Sequence, residues 1–354
     1  MRIVWSLCGE RLGSWGLLVL AVLSLALALA APAAAGDGVI SGINDARLTA
    51  SWPKEMGVLA PRQVGVWIAP EDVDKPWAVP PSIGVLVQLV GAQWWAERPG
   101  AYAAAARRLV LAHPNVREVQ VWNEPDLCWF PCAGTEADID GVSRNRFYGP
   151  WLDRYLDLLS ATSLALAGTG VKVLGFGMSP RLNAKWAPEA LAGAIANWRN
   201  ERGGRRHHSR IGGRDPDGRW HSGIWIGRAW DGPLMDGFAY HAYLYWQPAS
   251  TERIWQALGV PLWWTESGMD TLGTAGEHGY FGSVVWLYGA EGDELQQAQR
   301  VAKVVMAAKA DPHVAGVFNF LLEDEADLKR WQSGLLRPDG TRKPAFEVWT
   351  TATR

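Results

Sequence analysis

Short unbroken apolar runs alternate along this chain with longer stretches in which apolar residues return every three or four positions. Residues 83–90 (IGVLVQLV), 171–176 (VKVLGF), 260–264 (VPLWW) and 314–322 (VAGVFNFLL) are nearly continuous. Strands buried on both faces of a parallel sheet have this pattern. Between them, 101–112 is rich in Ala, Arg and Leu and stops before Pro114. In 148–167, Trp151, Tyr155, Leu158, Leu159 and Leu166 share one helical face, with Thr162 its polar member. In 294–309, Leu295, Ala298, Val301, Ala302 and Val305 repeat at helical spacing. Eight strands are predicted, at 39–44, 64–68, 83–90, 116–123, 171–177, 237–241, 262–266 and 316–320, in strict alternation with helices. Eight βα units in about 300 residues predict an α/β fold, a single (β/α)8 TIM barrel over 36–354. The Arg/Gly/His-rich stretch 199–233 is too long for a connection and predicts an insertion.

The first 35 residues stand apart from that pattern. Arg2 and Arg11 lie in a leader, 17–31 is an uncharged Leu/Ala-rich run, and Pro32 precedes Ala33-Ala34-Ala35. This is the layout of a signal peptide cleaved before Gly36. A retained anchor helix is the other reading, although the run falls short of the ~20 residues a span needs. Cleavage predicts a secreted, periplasmic or cell-envelope protein without stable membrane insertion. Export leaves Cys128 and Cys132 in an oxidising compartment. Their spacing in Cys-Trp-Phe-Pro-Cys predicts a small-loop disulfide, since no His or Cys at ligand spacing supports a zinc pair.

Composition narrows the function. With 48% apolar residues, 20% charged residues and a net charge of −2, the chain is not disordered and has no basic excess for nucleic acid. It has 22 tryptophans but only 8 Phe and 8 Tyr, so the aromatic excess is specific to indole.

In a barrel of this kind the working residues sit at the C-terminal strand ends. The fourth strand ends in Val121-Trp122-Asn123-Glu124-Pro125, the sixth runs into Tyr240-His241-Ala242-Tyr243, and the seventh ends in Trp264-Thr265-Glu266-Ser267. Two carboxylates therefore emerge into one cleft. Asn-Glu-Pro, His-x-Tyr and Thr-Glu-Ser, in this order, resemble glycoside hydrolase clan A, with similarity to families five and thirty-nine. The tail, Trp331-Gln-Ser-Gly-Leu with Asp339-Gly-Thr-Arg-Lys-Pro-Ala345, also looks like the end of such barrels. The resemblance covers the chain from the second strand onward.

The resemblance implies a retaining hydrolase of β-linked oligo- or polysaccharides, monomeric and without metal or organic cofactor. Glu124 would be the acid/base and Glu266 the nucleophile. Asn123 would bind the sugar 2-OH, Tyr243 would orient Glu266, and His241 would line the cleft. Glycoside cleavage requires two carboxyl pKa values pushed apart, the acid's upward. An inverting hydrolase and a glycan-binding barrel without catalysis are the alternatives. Two departures from the clan stand out. Trp67 occupies the end of the second strand where many members have Arg, and Phe318-Asn-Phe320 closes the last strand where a Trp is common. Trp331 is expected to fold back as a sugar floor. Sugar faces pack on indoles, so Trp67, Trp94, Trp95, Trp129, Trp246 and Trp331, all in loops after strands, are the candidate subsite residues. Trp122, Trp151, Trp198, Trp255, Trp263 and Trp349 are assigned to the core.

Overall fold

Eight parallel strands close on themselves: β1 (Ile40–Asn44), β2 (Gln63–Ile68), β3 (Gly84–Leu89), β4 (Val116–Val121), β5 (Lys172–Met178), β6 (Gly237–His241), β7 (Leu262–Ser267) and β8 (Val314–Phe320). β1 pairs with β2 on one side and β8 on the other, with Asn44 opposite Phe320. The molecule is therefore a (β/α)8 barrel, seen here in a computed structural model. It describes residues 38–126, 130, 135–137, 143–145, 150–178, 188–204, 213–214, 220–221, 233–243, 248–271, 291–327 and 331–354. The leader lies outside these residues, and 38–354 form one compact unit. Among the described residues no helix is long and apolar enough to cross a membrane.

All eight strands fall where the apolar runs put them. The helices are α1 (Glu55–Leu59), α2 (Pro99–Ala112), α3 (Pro150–Leu166), α4 (Pro188–Gly204), α5 (Pro248–Leu258), α6 (Glu294–Ala310) and α7 (Pro344–Thr353). On α3 the predicted face is fully inside: Trp151, Tyr155, Leu158, Leu159 and Thr162 are at 0% exposure, and the Thr162 hydroxyl is satisfied by the Leu158 carbonyl. α6 starts with a capping box in which Asp293 and Gln296 serve each other's backbone N–H.

Strict alternation does not hold. No helix joins β2 to β3; 69–83 crosses in successive turns, and its residues Val73 and Val79 fill the core. That stretch holds Pro70, Pro76, Pro80 and Pro81, too many for a helix interior. In 199–233, α4 runs on to Gly204, and a two-stranded antiparallel ribbon pairs 213–214 with 220–221. The expected disulfide is withdrawn: no such bond exists among the described residues, and Cys128 and Cys132 lie outside them. Trp255 departs from its core assignment. It is 41% exposed and stacks on His313 at 4.2 Å.

Alternation along each strand sorts the barrel into two cores. Val64, Val66, Val85, Val87, Leu89, Val119 and Val121 belong to the large outer core under the helices. Leu86, Leu174, Ala239, Trp263 and Phe318 form a separate inner plug, as expected for layered side chains filling a barrel. Near the strand starts, Glu118 shares this inner side with Gln63, whose amide donates to its carboxylate. Burial raises the Glu118 pKa to about 7, against the pull of Gln63, Lys172 and Arg117.

A carboxyl raised on folding stabilises the protein most below its ordinary value of 4.5, and the contribution is lost as pH rises through about 7. The difference is of order 3 kcal/mol. Glu118→Gln should therefore leave urea stability near pH 4 almost unchanged and raise it at pH 8 by roughly 2–3 kcal/mol. Equal stability of the two proteins at pH 8 would contradict this account.

Candidate active site

One inward step above the apolar plug, the same strands turn polar. Asn44 on β1, Gln88 on β3, Gln120 on β4, His241 on β6 and Glu266 on β7 are all buried. This ring is the floor of the C-terminal mouth. Glu266 is 4% exposed. Its Oε2 accepts from the Tyr243 hydroxyl at 2.7 Å, and its Oε1 accepts from the Gln88 amide at 3.2 Å. Irregularities in register at the ends of β6 and β7 set His241 opposite Glu266. Such bulges re-aim side chains at barrel rims.

Glu124 follows β4 on a tightly held backbone. Trp122 and Glu124 both have positive φ, 64° and 44°, a costly conformation for large residues. The surroundings hold it in place. Tyr102 accepts from the Trp122 N–H at 3.0 Å, Tyr155 donates to the Val121 carbonyl at 2.9 Å, and the Glu124 N–H donates to the Gly177 carbonyl at 2.9 Å. Gln120 spans the bend, donating to the Trp122 carbonyl at 3.0 Å and to Asn123 Oδ1 at 3.3 Å.

The two carboxylates meet at one imidazole. His241 Nδ1 lies 2.9 Å from Glu124 Oε1 and 3.4 Å from Glu266 Oε2, so the tautomer with a proton on Nδ1 is favoured. Burial alone would lower the His241 pKa. The charge of Glu266, the hydrogen bond and charge of Glu124, and Asp126 further off together raise it above the ordinary value. Glu266 is also pushed up, first by burial and then by the charge of Glu124, with His241, Tyr243 and Gln88 opposing; the upward push thus falls on the carboxyl expected to be the nucleophile, a departure from the expected pattern that its burial explains. Burial and the neighbouring carboxylates keep Tyr243 protonated, so it remains a donor. His241 and Glu266 ionise as a linked pair.

Aromatic rings wall one side. Trp331 meets Tyr243 at 5.0 Å, edge to face, and Phe320 at 6.1 Å; Trp67 stacks on Phe320 at 5.8 Å. Trp331 is brought there by the long segment after β8. Asp45 accepts from the Leu322 N–H at 3.1 Å, and Asp324 accepts from the Gly334 N–H at 2.7 Å while pairing with buried Lys343. Gln332, next to Trp331, is tied to Asp270 and Thr271 beyond β7. Trp94 and Trp95 stack on each other at 4.2 Å. Trp95 is 7% exposed and donates to Glu71 at 2.9 Å, so it packs as core. Trp129 and Trp246 lie outside the described residues. Among the described residues no cluster of His, Cys, Asp and Glu is placed to hold a metal ion.

No family model matches the chain, and no curated protein matches it in sequence. Solved structures do match in fold. An endo-β-1,3-glucanase of family 128, subgroup I, from Amycolatopsis mediterranei is similar at a TM-score of 0.50 and 12% identity, over 89% of this chain and 99% of that one. A family 39 glycoside hydrolase from Bacteroides cellulosilyticus WH2 is similar at a TM-score of 0.51 and 14% identity, over 88% and 63%. A family 2 β-galacturonidase from Eisenbergiella tayi is similar at a TM-score of 0.51 and 11% identity, over 90% and 51%. This chain has a glycoside-hydrolase-like barrel. The likeness is spread over families 128, 39 and 2 and does not single out families five and thirty-nine.

Two site residues escape a motif reading, Gln88 and Gln120. Each is an amide at an inward position of its strand, in Gly84-Val-Leu-Val-Gln-Leu89 and Val116-Arg-Glu-Val-Gln-Val121. The period of two would have flagged them. Gly177 is the third such residue. It has φ +52°, and a Cβ there would sit 2.1 Å from Gln120 Nε2. Gly177→Ala should cost roughly 1–3 kcal/mol through backbone strain and displacement of Gln120. Thermal melts of the variant would test this, and an unchanged Tm would count against the tight packing described.

Proposed function

We propose that this chain is a retaining glycoside hydrolase acting on β-linked oligo- or polysaccharides, with Glu124 as acid/base and Glu266 as nucleophile. The observation that supports it is the approach of both carboxylates to one ring nitrogen. Two oxygens at 2.9 and 3.4 Å from His241 Nδ1 cannot be further apart than the sum of those distances. This close approach of the two carboxylates supports the shorter spacing of double displacement over the wider inverting gap. The fold likeness to an endo-β-1,3-glucanase and a β-galacturonidase supports the choice of β-linked sugars.

In this reading Glu266 attacks the anomeric carbon while the glycosidic C–O bond breaks and Glu124 gives its proton to the departing oxygen. The glycosyl ester is then opened by water, whose proton returns to Glu124, and configuration is retained. Tyr243 and Gln88 orient the nucleophile. Asn123 Oδ1 already accepts from Gln120, which leaves the Asn123 NH2 for a sugar hydroxyl. Trp67, Phe320 and Trp331 would present apolar faces to the sugar, and the protein would act as a monomer. The reading includes export: residues 1–35 serve as a signal peptide, and the exported protein should begin at Gly36 by N-terminal sequencing. Recovery of the intact leader on exported protein would favour an anchor instead.

Glu266→Ala should reduce turnover of aryl β-glycosides by several orders of magnitude, and azide should restore part of it with a glycosyl azide product. Undiminished turnover would reject the assignment. Inverted product in early NMR spectra would reject double displacement. Glu124→Ala should slow glycosylation least for substrates with good leaving groups; an equal loss on all of them would argue against an acid role.

A further inference from the structure

We propose that Gln88 is the positioning residue of the Glu266 carboxylate, and that a one-way chain of amides from the Glu124 strand end fixes its orientation. This rests on the reading of Glu266 as nucleophile and adds a residue that none of the motifs contains.

Gln88 is at 0% exposure, one residue from the C-terminal end of β3, where an amide is costly unless it is satisfied. Its Nε2 faces Glu266 Oε1 at 3.2 Å and Gln120 Oε1 at 3.4 Å. The direction of this chain follows from its far end. The Trp122 carbonyl can only accept, so Gln120 must turn its NH2 toward it. That leaves the Gln120 oxygen facing Gln88, and Gln88 must answer with its own NH2, which then also faces Glu266. Reversing either amide would set acceptor against acceptor at two places. Gly177 makes room for Gln120, since a side chain there would overlap its amide. The route is thus Gly177, Gln120, Gln88, Glu266, and its branch from Gln120 to Asn123 joins the same chain to the other carboxylate's strand end.

The register partner of Gln88 on β2 is Trp67, so no arginine reaches the nucleophile from that strand. On Glu266, Tyr243 and His241 both lie on the Oε2 side, and Gln88 is the donor on Oε1. Without it, Oε1 has no donor among the described residues and the carboxylate plane is held from one side only. A donor to a carboxylate favours its charged form, so loss of Gln88 raises the pH at which Glu266 ionises. The titratable groups facing Glu266 are His241 from β6, Tyr243 just after it and Glu124 from the end of β4, with Asp126 acting on His241 and Asp270 on Tyr243. All remain in place in a Gln88 variant.

Gln88→Met removes the donor and keeps the length. Carboxyl 13C NMR of glutamate-labelled full-length protein reads Glu266 directly, its signal assigned by loss in Glu266→Gln. The Glu266 midpoint should rise by about one pH unit in Gln88→Met. The acid limb of kcat/KM on 2,4-dinitrophenyl β-glycosides should move up by the same amount, with kcat reduced on the order of tenfold and KM little changed. A merely structural residue would lower stability without moving that limb. A folded Gln88→Met protein with the parent Glu266 titration overturns the proposal. Should it not fold, Gln88→Leu, which adds no charge, decides by the same titration: an upward displacement supports the proposal, and the parent value overturns it. If the parent protein hydrolyses no glycoside, the nucleophile reading fails, while the titration still decides whether Gln88 holds the carboxylate.

Discussion

A carboxylate taken almost wholly out of water demands donors from its surroundings, and at the mouth of this barrel Glu266 makes that demand. Stripping an ion of solvent costs several kcal/mol unless hydrogen bonds and opposite charge replace the lost water. The replacement comes from two strands: an amide on β3 across the barrel, an imidazole at the end of the adjacent β6, and a phenol two residues beyond it. Each would itself be expensive to bury alone. The Tyr243 hydroxyl, the Gln88 amide and the raised His241 imidazole become tolerable because the carboxylate is there to receive them. The polar floor is therefore a mutually dependent set.

The second carboxylate is held by different means. Glu124 owes its position to backbone geometry that its own sequence does not favour. Two large residues at positive φ are retained because Tyr102, Tyr155, Gln120 and Gly177 satisfy the bent segment on both sides. Strain of this kind persists only where packing over-determines it, and it collects at functional sites. One carboxylate is thus placed by desolvation and the other by a braced turn, and His241 is where the two constructions touch.

The sequence made the barrel legible because its strands are buried on both faces and so appear as apolar runs, and the two carboxylates legible because they close two of those runs. The same feature hid Gln88 and Gln120. Inside a run of Val and Leu a single Gln reads as a minor interruption, although the period of two puts it on the inner face with Leu86 and Glu118. Strict alternation called for a helix between β2 and β3, but the four prolines of 69–83 leave room only for turns. Trp95 illustrates a further limit. A loop tryptophan can be a sugar platform or a core side chain, and its bond to Glu71 and close packing on Gly91 come from tertiary contacts that spacing does not encode.

Low sequence identity to the glycosidases of like fold has a physical counterpart in the site itself. Where many clan members set an arginine near the nucleophile, this barrel sets Trp67, and where a strand-end tryptophan is common it sets Phe320. These two exchanges are coupled, because Trp67 stacks on Phe320 and Trp331 closes over both with Tyr243. An arginine at the β2 position would lose that stack, and a larger ring at Phe320 would compete with Trp331 for the same space. The donors on Glu266 are instead the neutral amide of Gln88 and the Tyr243 hydroxyl, with the titratable His241 beside them. The aromatic wall and the amide floor thus flank the same carboxylate, the first through Tyr243 and the second through Gln88.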